Sequence, residues 1–152
     1  MKRLLFFTFL SAFVVVCAFC SKNNVPSVVN TSTNPTGSKM KIKIGNRDFT
    51  ATLYNNATAT TFKSLLPLIV EMVELNGNEK YVDLPGNLPA NASIPKAIQA
   101  GDLMLYGSST LVLFYKSFST SYSYTYLGRI DDVTGLVATM GAGNVNVSFE
   151  SE

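Results

Sequence analysis

The sequence predicts a mainly β domain, eight short strands closed on themselves into a barrel with one or two short helices. Three observations carry this. From Met40 to Phe149, short segments alternate apolar and polar residues, the period of a strand with one buried face. Turn residues break these segments about every ten positions, the spacing of a sandwich or barrel. One stretch alone has clear helical spacing. Closing the sheet removes the bare edges that a small isolated domain otherwise exposes.

The chain begins with a different kind of segment. Lys2 and Arg3 precede an apolar run from Leu4 to Val16 interrupted by Thr8 and Ser11, which is the charge and hydropathy order of a secretory signal. Counted to Phe19 the run has 16 residues, short of the about 20 that a membrane span needs. Residues 1–20 are therefore expected to be a signal peptide. The net charge of +2 resides in this segment, because without Lys2 and Arg3 the 12 basic residues fall to 10 against 10 acidic ones. A neutral remainder lacks the clustered Lys and Arg with which proteins displace counterions from nucleic acid, so no nucleic-acid partner is expected.

Both cysteines, Cys17 and Cys20, lie at the end of the apolar run, and the domain has none. The segment "VVVCAFCSKNN" resembles the bacterial lipoprotein signal, in which the cysteine after the apolar run takes the lipid. Cys20, followed by Ser21 and a polar stretch, is the expected lipidation site. Phe19 departs from the small residue that this pattern favours, and cleavage after Ala18, with Val16 and Ala18 as the small pair, is the competing reading. The resemblance implies a protein of the bacterial cell envelope, lipid-anchored to the inner or outer membrane and facing the periplasm or the exterior. Residues 21–39, rich in Ser, Thr, Asn and Pro without an apolar period, are expected to form a flexible tether.

The domain is expected over 40–150. "MKIKIG" puts Met40, Ile42 and Ile44 on one face and leaves Lys39, Lys41 and Lys43 on the solvated one. "DFTATLYN" puts Phe49, Ala51 and Leu53 on one face, with a tight turn at Asn46 and Arg47 between the two strands. "NATATTFKSLLP" has helical spacing: Asn56 or Thr58 is available as N-cap, Phe62, Leu65 and Leu66 share a side, and Pro67 ends it. "LPLIVEMVEL" and "EKYVDL" flank Asn76-Gly77-Asn78, whose Asn-Gly pair favours a hairpin. "DLMLYG" and "LVLFYK" flank Gly107 to Thr110 in the same way. "YTYLGRID" and "NVNVSFE" supply the last strands, with a short helical turn in "VTGLVATMG" between them.

Taken together, "LNGNEKYVDL", "IQAGDLMLYGSSTLVLFYKSF" and "SYSYTYLGRIDD" resemble the bacterial cyclophilin-like domain family across Met40 to Phe149. The resemblance implies a cyclophilin-like barrel but no defined activity. True cyclophilins isomerise X-Pro bonds with an arginine in a Phe-His-Arg context, which places a donor near the prolyl nitrogen. This chain has no histidine and no tryptophan, and neither Arg47 nor Arg129 stands in that context. The same lack of histidine removes the usual general base and triad member. Glu79, Asp83 and Asp102 have no metal-naming spacing, and "GAGN" precedes a strand where a phosphate loop requires a helix. No catalytic residue, metal site or cofactor is expected.

"YKSFSTSYSYTYL" stands out. Tyr122, Tyr124 and Tyr126 alternate, which on a strand places their rings on one face, and tyrosine with Ser and Thr is the chemistry of a recognition surface. In the cyclophilin layout this part of the chain lies near the substrate groove. Tyr106, Phe114 and Tyr115 end neighbouring strands and are expected to join the site, with Asn55 and Thr58 at the helix entrance and Arg129 in the last motif. The expected function is a non-enzymatic module that binds an extended peptide, an envelope protein or a small ligand. The alternative is a divergent peptidyl-prolyl isomerase acting on envelope proteins.

Overall fold

The computed structural model describes residues 34–152. The signal segment, its cysteines and most of the tether lie outside them. Eight antiparallel strands form a closed barrel in the order β1-β2-β7-β5-β6-β4-β3-β8. They are β1 (Lys39–Ile44), β2 (Arg47–Leu53), β3 (Leu68–Leu75), β4 (Glu79–Asp83), β5 (Asp102–Tyr106), β6 (Thr110–Phe114), β7 (Thr125–Ile130) and β8 (Val145–Ser151), with helices α1 (Ala57–Lys63) and α2 (Leu136–Met140).

Alternation sets the inside of this barrel. Met40, Ile42 and Ile44 of β1, Ala51 and Leu53 of β2, Leu103 and Leu105 of β5, and Val147 and Phe149 of β8 are all buried in one cluster. Lys39 and Lys43 are exposed and Lys41 is half-buried, as expected of the wet face of a strand. The first hairpin turns at Gly45-Asn46, one residue before the expected position, because Ile44 pairs directly with Arg47 and Gly45 takes a φ of 56°.

Asn56 caps α1 by accepting the Ala59 N–H at 2.8 Å. The helix stops at Lys63, short of Leu65 and Leu66, which pack on the core from the following turn. Its buried Phe62 meets Phe149 edge-on at 5.7 Å between ring centroids. α2 turns Leu136 and Met140 into the same core.

Lys80 of β4 also points inward and is fully buried. Its ammonium pairs with Glu74 and donates to the carbonyls of Gly141 and Gly143, just beyond α2. Tyr115 donates its hydroxyl to Glu74 at 2.9 Å, and the Gly77 N–H donates to the same carboxylate at 2.7 Å. A buried lysine is tolerable only when its charge and its donors are all met in this way.

A second, smaller cluster lies outside the barrel wall. Ile98, Met104, Val112, Phe114 and Tyr124 form it, on the faces of β5 and β6 opposite to the inward Leu103, Leu105, Leu111 and Leu113. The long loop 84–101 and the segment 115–124 cross over it, tied by the Ile98–Phe118 and Ser93–Tyr124 bridges. This outer cluster is the floor on which the candidate site is built.

Candidate functional site

The register of β4 against β6 decides what the outer wall presents. Glu79, Tyr81 and Asp83 pair with Phe114, Val112 and Thr110 respectively, and directly opposed residues share a face. The outward row of β4 is therefore carboxylate, phenol, carboxylate. Tyr106 of β5 pairs with Thr110 and extends the row. Above them, Tyr122 and Tyr124 descend from the 115–124 segment. Together with Leu75 and Asn76 these residues enclose an open groove of about 420 Å³.

The aromatic geometry is continuous. Phe114, fully buried, meets Tyr124 edge-to-face with centroids 5.4 Å apart. Tyr124 contacts Tyr106 at 5.7 Å, and Tyr106 meets Tyr122 at 6.3 Å, again edge-on. Edge-to-face stacking of this kind holds rings stiffly. The inner rings are covered, whereas Tyr106 is 46% and Tyr122 62% exposed. Beyond Leu75, the outer face of β3 adds exposed Val73, then the charged Glu71 and then Ile69.

The electrostatics are one-sided. Burial, and then the charge of Glu74, push the Glu79 carboxyl above its ordinary value. Burial, Glu79 and the neighbouring tyrosines push the Tyr124 hydroxyl up to about 12, so it remains a neutral phenol able to donate. Asp83 accepts the Thr110 hydroxyl at 2.6 Å. No Lys or Arg lines the groove.

The sequence profile of the cyclophilin-like family matches residues 42–150, which is most of the chain and all of the barrel but the first residues of β1 and the last of β8. The chain belongs to the cyclophilin-like family. Its fold is similar to the solution structure of a hypothetical protein from Archaeoglobus fulgidus, at 17% identity and a TM-score of 0.51, over 80% of this chain and 99% of that one. No curated protein sequence matches the chain.

The motifs that resemble the family have structural roles in this cyclophilin-like barrel. Gly101, with a φ of 91°, lies so close to Val133 and Ile130 that a Cβ would collide with them. It delivers Asp102 into full burial, where the carboxylate accepts the Gln99 N–H at 2.8 Å and the Arg129 Nε–H at 2.6 Å. Asp102 and Arg129 are paired residues of β5 and β7. In Leu127-Gly128-Arg129-Ile130, the first and last side chains enter the core, and Gly128 lets β7 approach β2, since a Cβ there would stand 2.9 Å from the Thr52 carbonyl oxygen.

Of the expected site residues, the groove gathers Tyr106, Tyr122 and Tyr124, with Phe114 as its floor. Others are placed elsewhere. Tyr115 turns into the barrel core and binds Glu74, because strand alternation sends it to the opposite face from Phe114. Thr58 is buried and donates to the Pro89 carbonyl at 2.6 Å, and Asn55 is exposed beside a separate hollow at the helix entrance. Arg129 lines a different hollow with Tyr54 and Tyr126.

Tyr126 packs on the edge of the same outer cluster as Tyr124, opposite Met104 of β5, but does not line the groove. It stacks on Tyr54 at 5.4 Å. Glu79, Tyr81 and Asp83 were not expected at the site. Their alternation on "EKYVD" was the available signal.

Proposed function

We propose that this chain is an exported cyclophilin-like domain, lipid-anchored through Cys20 at the envelope, and that it binds an extended peptide in the tyrosine-walled groove without catalysing a reaction on it. The observation that carries this is the set of exposed rings of Tyr106 and Tyr122 over a groove of about 420 Å³, adjoined by exposed Leu75 and Val73 of β3. Stiff aromatic walls with phenolic donors offer contact area at low entropic cost, and an open trough suits a chain segment better than an enclosed small molecule. A closed barrel has no free edge, so the peptide lies across the outer wall and does not add as a strand.

Peptidyl-prolyl isomerisation is the alternative. It requires a fixed donor beside the prolyl nitrogen; no arginine lines the groove, and Arg129 is engaged by Asp102. A protease-coupled assay on Xaa-Pro peptides separates the readings. The binding reading predicts no turnover above the uncatalysed rate, together with peptide binding that weakens in Tyr122→Ala. Turnover that disappears in Arg129→Ala or Arg47→Ala overturns it. For the anchor, fatty-acid labelling in cells is expected for the natural chain and not for Cys20→Ala; equal labelling of both contradicts it.

A further inference from the structure

We propose that Glu79 selects a basic residue: the groove receives a lysine or arginine side chain of the bound peptide, its charged head on the Glu79 carboxylate and its stem along the tyrosine rings. This rests on the peptide-binding reading above and names what that peptide must carry.

Glu79 is 8% exposed and lines the groove. Among the described residues, its carboxylate has neither an ion-pair nor a hydrogen-bond partner, whereas the two fully buried charges of the barrel, Lys80 and Asp102, are met completely. Lys80 has Glu74 and two carbonyls, and Asp102 has Arg129 and the Gln99 N–H. The carboxylate opens on the groove while the rest of the side chain is covered, and a carboxylate so little solvated gains more from an outside partner than a fully solvated one does.

The surroundings specify the sign and shape of that partner. Asp83, on the same face, adds a second negative charge, and no cationic side chain lines the groove to neutralise either. Four residues along a strand place Glu79 and Asp83 about 13 Å apart. That is too far to share one small ion, and no group of three His, Cys, Asp or Glu is placed to hold a metal among the described residues. The walls are ring faces and edges of Tyr81, Tyr106, Tyr122 and Tyr124. Aromatic rings attract cations and also cover the methylene stem of lysine or arginine. A long side chain with an apolar stem and a cationic tip fits a groove whose carboxylate stands at its aromatic base.

The test is selection of a random ten-residue peptide library, acetylated and amidated at its ends, on the full chain in uncharged detergent, in parallel with Glu79→Gln. The inference predicts that the natural chain enriches peptides with Lys or Arg at one fixed position and that Glu79→Gln retains peptides but loses this preference. It also predicts that replacing the basic residue of the best peptide with norleucine weakens binding to the natural chain by about tenfold or more. A selected pool without basic preference, or a preference unchanged in Glu79→Gln, overturns the inference and leaves the peptide-binding reading standing. A natural chain that enriches no peptide above bare matrix overturns both.

Discussion

Glu79 and Phe114 stand opposite one another across the β4–β6 ladder, so a glutamate that is 8% exposed lies beside a ring that is fully buried. Burial, then the Glu74 charge on β3, raise the carboxyl above 4.5. A raised carboxyl binds its proton more tightly in the folded chain than in the unfolded one. Its contribution to stability is therefore full below about 4.5 and is lost as pH rises through the raised folded value. Glu79→Gln is predicted to raise the melting temperature at pH 7 and to change it little at pH 4. Thermal unfolding at both values checks this, and a lower melting temperature for the variant at pH 7 contradicts it.

Glu74, one strand away, titrates in the opposite sense. Burial pushes its carboxyl up, but Lys80, the Tyr115 hydroxyl and the Gly77 N–H together hold it below 4.5. Its contribution is present above about 4.5 and is lost as pH falls through the lower folded value. Glu74→Ala leaves the Lys80 ammonium buried with carbonyls alone, and is predicted to cost about 3 kcal/mol at neutral pH, with part recovered in Glu74→Ala/Lys80→Met. Denaturant unfolding is the measurement, and a loss below about 1 kcal/mol argues against the network.

Binding and stability separate at the tyrosines. Tyr122 is 62% exposed, so Tyr122→Ala is predicted to change stability by no more than about 0.5 kcal/mol while weakening peptide binding. Phe62→Ala, at the buried contact of α1 with Phe149, is predicted to cost about 3–5 kcal/mol. Parallel unfolding and binding curves test the pair; a Tyr122→Ala protein as unstable as Phe62→Ala places that ring in the fold.

Gly128 makes the β2–β7 contact close. A methyl there meets the Thr52 oxygen at 2.9 Å and Leu53 Cδ2 at 3.1 Å, and Gly128→Ala is predicted to destabilise by about 1–3 kcal/mol as the strands separate. An unchanged denaturation midpoint contradicts it.

The barrel was legible because alternation decides which side chains enter a core and turn residues mark where strands end; β5 and β6, buried on both faces, were marked by the Gly107–Thr110 turn between them and not by alternation. The site was less so. Which outward residues converge depends on the pairing of Glu79 with Phe114 and on the path of loops 84–101 and 115–124, which have no period to read. Tyr106, Tyr122 and Tyr124 stand out as aromatics in a Ser/Thr-rich setting, whereas Tyr126 packs on the same outer cluster as Tyr124 but lies beyond the groove, against Tyr54. Arg129 was marked by its motif, but that motif holds the Asp102 pair. Lys80 and Glu79 are neighbours in sequence, and only the direction of β4 tells which one is enclosed by the fold and which one faces the groove.

The central claim, a peptide site on the outer wall over Phe114, is tested most directly by titrating the full chain with its best selected peptide and following the tyrosine ring resonances. The account predicts shifts confined to Tyr81, Tyr106, Tyr122 and Tyr124, with Tyr54 and Tyr126 unmoved. Shifts centred on Tyr54 and Tyr126, beside Arg129, would contradict it.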